Sequence, residues 1–167
     1  LTSIDNADSI TNWDSYKLTA GGATPSVATV TDLKIEGTAC NGIKPTSSKD
    51  CGLVFDYFTA NGSTTLNMET SGNEVLAMWI RQLFSGQVLS LANGGLYIVV
   101  CAGDGVPGGT NNWAKWYIGG SDANPDGWTW YQVDTRKTPS ETGAGWTAGP
   151  GGSLSTVYRI GIGAFAS

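Results

Sequence analysis

The 167 residues contain no histidine, and that absence excludes more chemistry than any motif present. Ser–His and Cys–His nucleophilic pairs cannot be assembled, and neither can a His-ligated catalytic metal. Charge is scarce as well: Asp, Glu, Lys and Arg together make up 14% of the chain, against about 25% in an ordinary globular protein. The nine basic residues are outnumbered by fourteen acidic ones, giving a net charge of −5. Binding a nucleic-acid backbone needs clustered Lys and Arg, so that class is excluded. No apolar run approaches the about 18 residues of a membrane span. With 40% apolar residues and so little charge, the composition is not that of a disordered chain.

Cysteine is limited to Cys40, Cys51 and Cys101. No CxxC pair and no histidine partner supports a zinc site. Cys40 and Cys51 flank the polar, turn-rich stretch Asn41–Asp50 and are candidates for a disulfide closing that loop, worth about 2.5–3 kcal/mol by loop entropy; the alternative is that all three are thiols. Cys101 ends an apolar run and reads as a buried thiol. The start, Leu1-Thr2-Ser3-Ile4-Asp5, has neither an initiator methionine nor a basic region followed by an apolar one. It therefore reads as a mature or excised piece.

What is abundant is glycine, 24 residues, and tryptophan, 7. Short alternating segments rich in Val, Ile, Thr and aromatics recur along the chain, which is strand composition. They are Trp13–Leu18, Val27–Ile35 with a break near Thr31-Asp32, Leu53–Phe58, Val75–Arg81, Leu96–Cys101, Trp113–Ile118, Trp128–Val133 and Val157–Ile162. Turn-formers separate them, as in Ala60-Asn61-Gly62-Ser63 and Pro125-Asp126-Gly127. Asn73–Leu91 admits a helical reading, but Ser85-Gly86 interrupts it, favouring a strand over Val75–Arg81. The expectation is one all-β domain over residues 1–167, an antiparallel two-sheet sandwich with long glycine-rich loops. Val54, Leu76, Met78, Ile80, Ile98, Val100, Ile118, Val133 and Ile160 are the expected inward positions.

Three chemistries remain open. Carboxylate catalysis of the glycosidase kind needs two paired acids. The four glutamates, Glu36, Glu69, Glu74 and Glu141, form no such pattern, and Asp56, within an apolar strand, reads as a buried structural acceptor. No enzyme is expected. Asp122, Asn124 and Asp126, followed by Gly127, match the first half of a calcium loop, yet position twelve is Val133 rather than glutamate. A pair of Asx turns accounts equally for that spacing. Finally, Trp113, Trp128 and Trp130 are candidates for stacking on a sugar, with core packing as the alternative.

The order Gly52-Leu53-Val54-Phe55-Asp56, Val75–Ile80 and Gly94-Gly95-Leu96-Tyr97-Ile98-Val99, continued by Asn112–Asp122 and Gly127-Trp128, resembles a concanavalin-like or laminin-G-like jelly-roll module of tailed-bacteriophage virion structural proteins. The likeness spans roughly Leu53 to Phe165. It implies a non-enzymatic decoration or surface module of the capsid, whose partners are copies of itself or other virion subunits, with no catalytic residues to carry over. The competing expectation is an extracellular, lectin-like module that uses Trp faces, host glycans and calcium.

Overall fold

The computed structural model describes residues 4–5, 7, 9–17, 26–32, 39–44, 50–70, 73–81, 95–103, 112–119 and 127–165. Ten strands occur among these: β1 (Trp13–Lys17), β2 (Ser26–Val30), β3 (Cys40–Lys44), β4 (Asp50–Asp56), β5 (Val75–Ile80), β6 (Leu96–Cys101), β7 (Trp113–Gly119), β8 (Thr129–Asp134), β9 (Glu141–Thr142) and β10 (Arg159–Phe165). A single helical turn, α1 (Tyr57–Ala60), follows β4, and a 3-10 turn covers Ser153–Ser155. The chain is an all-β sandwich. Six strands form one antiparallel sheet in the order β1-β4-β10-β6-β7-β9, while β2–β3 and β5–β8 form two-stranded sheets.

Alternation along the strands decides which face each side chain joins. Ile98 and Val100 of β6, Ala114 and Trp116 of β7 and Ile160 of β10 pack with Leu76 of β5 and Val133 of β8. Met68 and Val157, from the connecting segments, complete this inter-sheet core, and Met78 and Ile118 pack against it half-buried. Val54 is fully buried as expected, but on the other face of the large sheet. There it joins Tyr16, Tyr97, Val99, Cys101 and Trp113. Ile80, expected inside, is half-buried.

The second face is built around large rings. The Tyr16 hydroxyl donates to the Tyr97 hydroxyl at 3.0 Å, both side chains fully buried. Gly163 lies where a Cβ would collide with both hydroxyls, so its missing side chain is what lets the rings cross β10. Lys115 is also buried here, its Nζ 4.6 Å from the Tyr97 ring centroid and 5.1 Å from that of Trp113. Its ammonium donates to Glu141 of β9 at 3.1 Å. A charge-assisted hydrogen bond and two ring faces thus replace the water lost on burial.

Two boundaries depart from expectation. The strand read through Phe58 stops at Asp56, whose side chain accepts from Thr59 N at 2.8 Å and caps α1. The stretch beginning at Asn41, read as turn-rich, is strand β3 as far as Lys44, held in register by β2. Val75–Ile80 is strand rather than helix, paired residue for residue with β8.

Candidate functional site

Strands β5 and β8 present their inner face to the core through Leu76, Met78 and Val133, so residues one step out of phase must face outward. On that outer face the register pairs Trp79 with Trp130, Ala77 with Gln132 and Val75 with Asp134. Trp79 and Trp130 are 47% and 41% exposed, far from the buried state usual for indoles. Their ring centroids lie 5.3 Å apart with planes tilted by 58°. Val75, 39% exposed, extends the apolar surface along β5.

The far end of this face is polar and tightly bonded. Arg136 grips Asp134 with two hydrogen bonds of 2.9 Å, Nε to Oδ1 and Nη2 to Oδ2, and reaches Glu74 at 3.4 Å. Those bonds hold the Asp134 carboxyl down to about 2, so it is ionised throughout the physiological range. Thr135 fixes the adjoining turn by donating both its N–H and its hydroxyl to the Glu74 carbonyl. The outer face is therefore a strip with two tryptophans at one end and an ion-pair network at the other.

The three rings selected from the sequence are not brought together. Trp113 is buried on the second face of the large sheet, beneath the Lys115 ammonium. Trp128 is half-buried just before β8, and only Trp130 is exposed. Its partner Trp79 was not among the rings selected from the sequence. Strand phase alone distinguishes it: Trp79 is out of step with Leu76 and Met78.

Asp122, Asn124 and Asp126 lie outside the described residues. Among the described residues no group of three or more His, Cys, Asp or Glu is placed to hold a metal ion. Of the two cysteines considered for a bridge, Cys40 belongs to β3 and Cys51 to β4, in different sheets. Asp56 is 7% exposed and spends its carboxylate on Arg159 and on the α1 cap, as a structural acceptor would. One glycine-rich loop is tied down: Glu69 accepts from the N–H groups of Gly151 at 2.9 Å and Gly152 at 3.1 Å. Gly149 and Gly151 hold positive φ there, 92° and 73°, which a side chain would strain.

Burial pushes the Cys101 thiol up to about 12, with Arg159 pulling the other way. Its folded value exceeds the unfolded one, so the thiol's contribution to stability is complete below about 9 and is lost as pH rises from there towards 12. Cys101 is accordingly expected to resist alkylation by iodoacetamide at neutral pH in the native protein and to react after unfolding in urea. Peptide mapping by mass spectrometry reads the difference, and rapid native labelling of Cys101 would contradict its burial.

The chain matches no protein-family model, no curated protein and no solved structure. Among the described residues no helix is long and apolar enough to cross a membrane.

Proposed function

We propose that this chain is a non-enzymatic structural module on the surface of a bacteriophage particle, a capsid decoration or surface element with a concanavalin-like jelly-roll fold. It works through protein–protein contact with copies of itself or other virion subunits. The exposed Trp79–Trp130 pair carries this reading. Tryptophan dominates the energetics of protein interfaces, and contiguous exposed apolar surface on a soluble domain usually marks a contact site. Both rings stand on register-locked strands, so little conformational entropy is lost when a partner covers them. The phage assignment itself is supported by the resemblance of the strand segments.

The competing reading, an extracellular lectin-like module, names Trp113, Trp128 and Trp130 as candidates for stacking on a sugar. The burial of Trp113 speaks against its use as a stacking surface. Association with particles is the test. The protein is expected to sediment with the phage particles that encode it, and a chain found only as a soluble species would overturn the proposal.

A further inference from the structure

Asparagine followed by glycine occurs three times, at Asn41, Asn61 and Asn93, and the last lies outside the described residues. This dipeptide is chemically labile, because glycine has no side chain to hinder its own backbone nitrogen as a nucleophile. The fold treats the two described pairs differently. Asn41 lies inside β3, opposite Thr29 of β2, with Gly42 opposite Ala28. Its Nδ2 donates to the Ser9 carbonyl at 2.8 Å, and a Cβ on Gly42 would meet Val30 Cγ2 at 3.0 Å. Bringing Gly42 N onto the Asn41 side chain therefore means breaking the β2–β3 ladder.

Asn61 is exposed, just past the single turn of α1. Its backbone N–H and its Nδ2 both donate to the Tyr57 carbonyl, at 3.0 and 2.9 Å, and Ser63 N donates to the Phe58 carbonyl at 2.8 Å. Among the described residues no hydrogen bond holds the Gly62 N–H, and nothing lies within 4 Å of where a Gly62 Cβ would be. The Asn61 ψ of 34° turns Gly62 N away from the side chain, so ring closure needs this turn to open. Opening is easy here. A one-turn helix has little stability of its own, and exposed turns fray at low cost. Ser63 also sits at a φ of 67°, a left-handed conformation unfavourable for any residue with a side chain, and opening releases it.

We propose that Asn61 is a site of spontaneous deamidation, which leaves an aspartate or isoaspartate behind α1, while Asn41 is protected by its strand. The Gly62 nitrogen gives its proton to solvent and attacks Asn61 Cγ. The Cγ–Nδ2 bond breaks, and Nδ2 leaves as ammonia. Water then opens the cyclic imide. Cleavage on the Cγ side gives aspartate, and cleavage on the backbone-carbonyl side gives isoaspartate, with the chain now running through Cγ. The balance is water in and ammonia out, with no oxidant or reductant. Either product adds a negative charge and removes the Nδ2 donor from the Tyr57 carbonyl. This goes beyond the particle reading and does not depend on it, because the Trp79–Trp130 pair plays no part.

The experiment ages the folded protein in mildly alkaline buffer made with heavy-oxygen water, beside a sample unfolded in guanidinium chloride. Peptide mapping by mass spectrometry locates the exchanged oxygen. In the folded protein Asn61 is expected to convert at least about tenfold faster than Asn41, because a frayed turn opens more often than a paired strand. In the unfolded sample the two are expected to convert at similar rates, since the dipeptide is the same. Isoaspartate, read by enzymatic methylation, is expected at the α1 turn of the parent and absent there in Asn61→Gln, an exposed position that keeps its amide. The inference is overturned if Asn61 stays intact in the folded protein, if Asn41 keeps pace with it, if the difference persists after unfolding, or if Asn61→Gln still forms isoaspartate at that turn.

Discussion

Replacing Asp56 with alanine is expected to lower the free energy of unfolding by about 3–5 kcal/mol, the range seen when one partner of a buried ion pair is removed. The two side chains are 10% and 13% exposed, so the guanidinium of Arg159 is left desolvated when its carboxylate goes. The same substitution deletes the acceptor that caps α1 at Thr59 N, a loss of about 1 kcal/mol in itself and part of the same total. Asp56 and Arg159 stand opposite each other as the last pair of the β4–β10 ladder, so the loss falls where β4 gives way to α1. Urea denaturation should show a lower midpoint with an unchanged slope. The pair Asp56→Leu with Arg159→Met should recover much of the loss, because a buried charge pair exchanged for apolar groups of similar volume is often neutral. A single variant within about 0.5 kcal/mol of the parent would show that the ion pair carries no such weight.

Substituting Gly163 by alanine is expected to cost about 1–3 kcal/mol, the range for forcing volume into a packed core. The new methyl would meet the hydroxyls of Tyr16 and Tyr97 together, and neither ring has space to retreat, since both are buried against Val54 and Val99. The hydrogen bond between the two hydroxyls would be broken in the process. Removing the obstacle tests the cause. Adding Tyr97→Phe to Gly163→Ala should recover part of the loss, whereas additive losses in the double variant would mean that the hydroxyls are not what the methyl meets.

These residues show what the sequence makes legible. Strands β5 to β8 follow from alternation of β-branched and aromatic residues, and β6 agrees with its expected bounds, Leu96–Cys101. Strand β3 escaped because Cys40-Asn41-Gly42-Ile43-Lys44 carries a single β-branched residue; its extended form comes from pairing with β2, a tertiary effect that propensity does not contain. Lys115 lies buried within β7 because Glu141, twenty-six positions later, is brought beside it by β9, a pairing that no local pattern announces. The candidate site was half legible. Trp130 is a candidate from the sequence, whereas its neighbour Trp79 emerges only from the cross-strand register.

The account rests on the outer face of β5 and β8 as a protein-contact surface, and co-sedimentation of purified chain with phage particles lacking it tests that most directly. The comparison is between the parent and a Trp79→Ser, Trp130→Ser double variant. Both rings are exposed, and their mutual contact is worth about 0.5–1.5 kcal/mol, so the variant should stay folded, with an unchanged circular dichroism spectrum. The parent is expected to pellet with the particles and the double variant to remain in the supernatant. Equal pelleting of the two, or a parent that never leaves the supernatant, would contradict the claim.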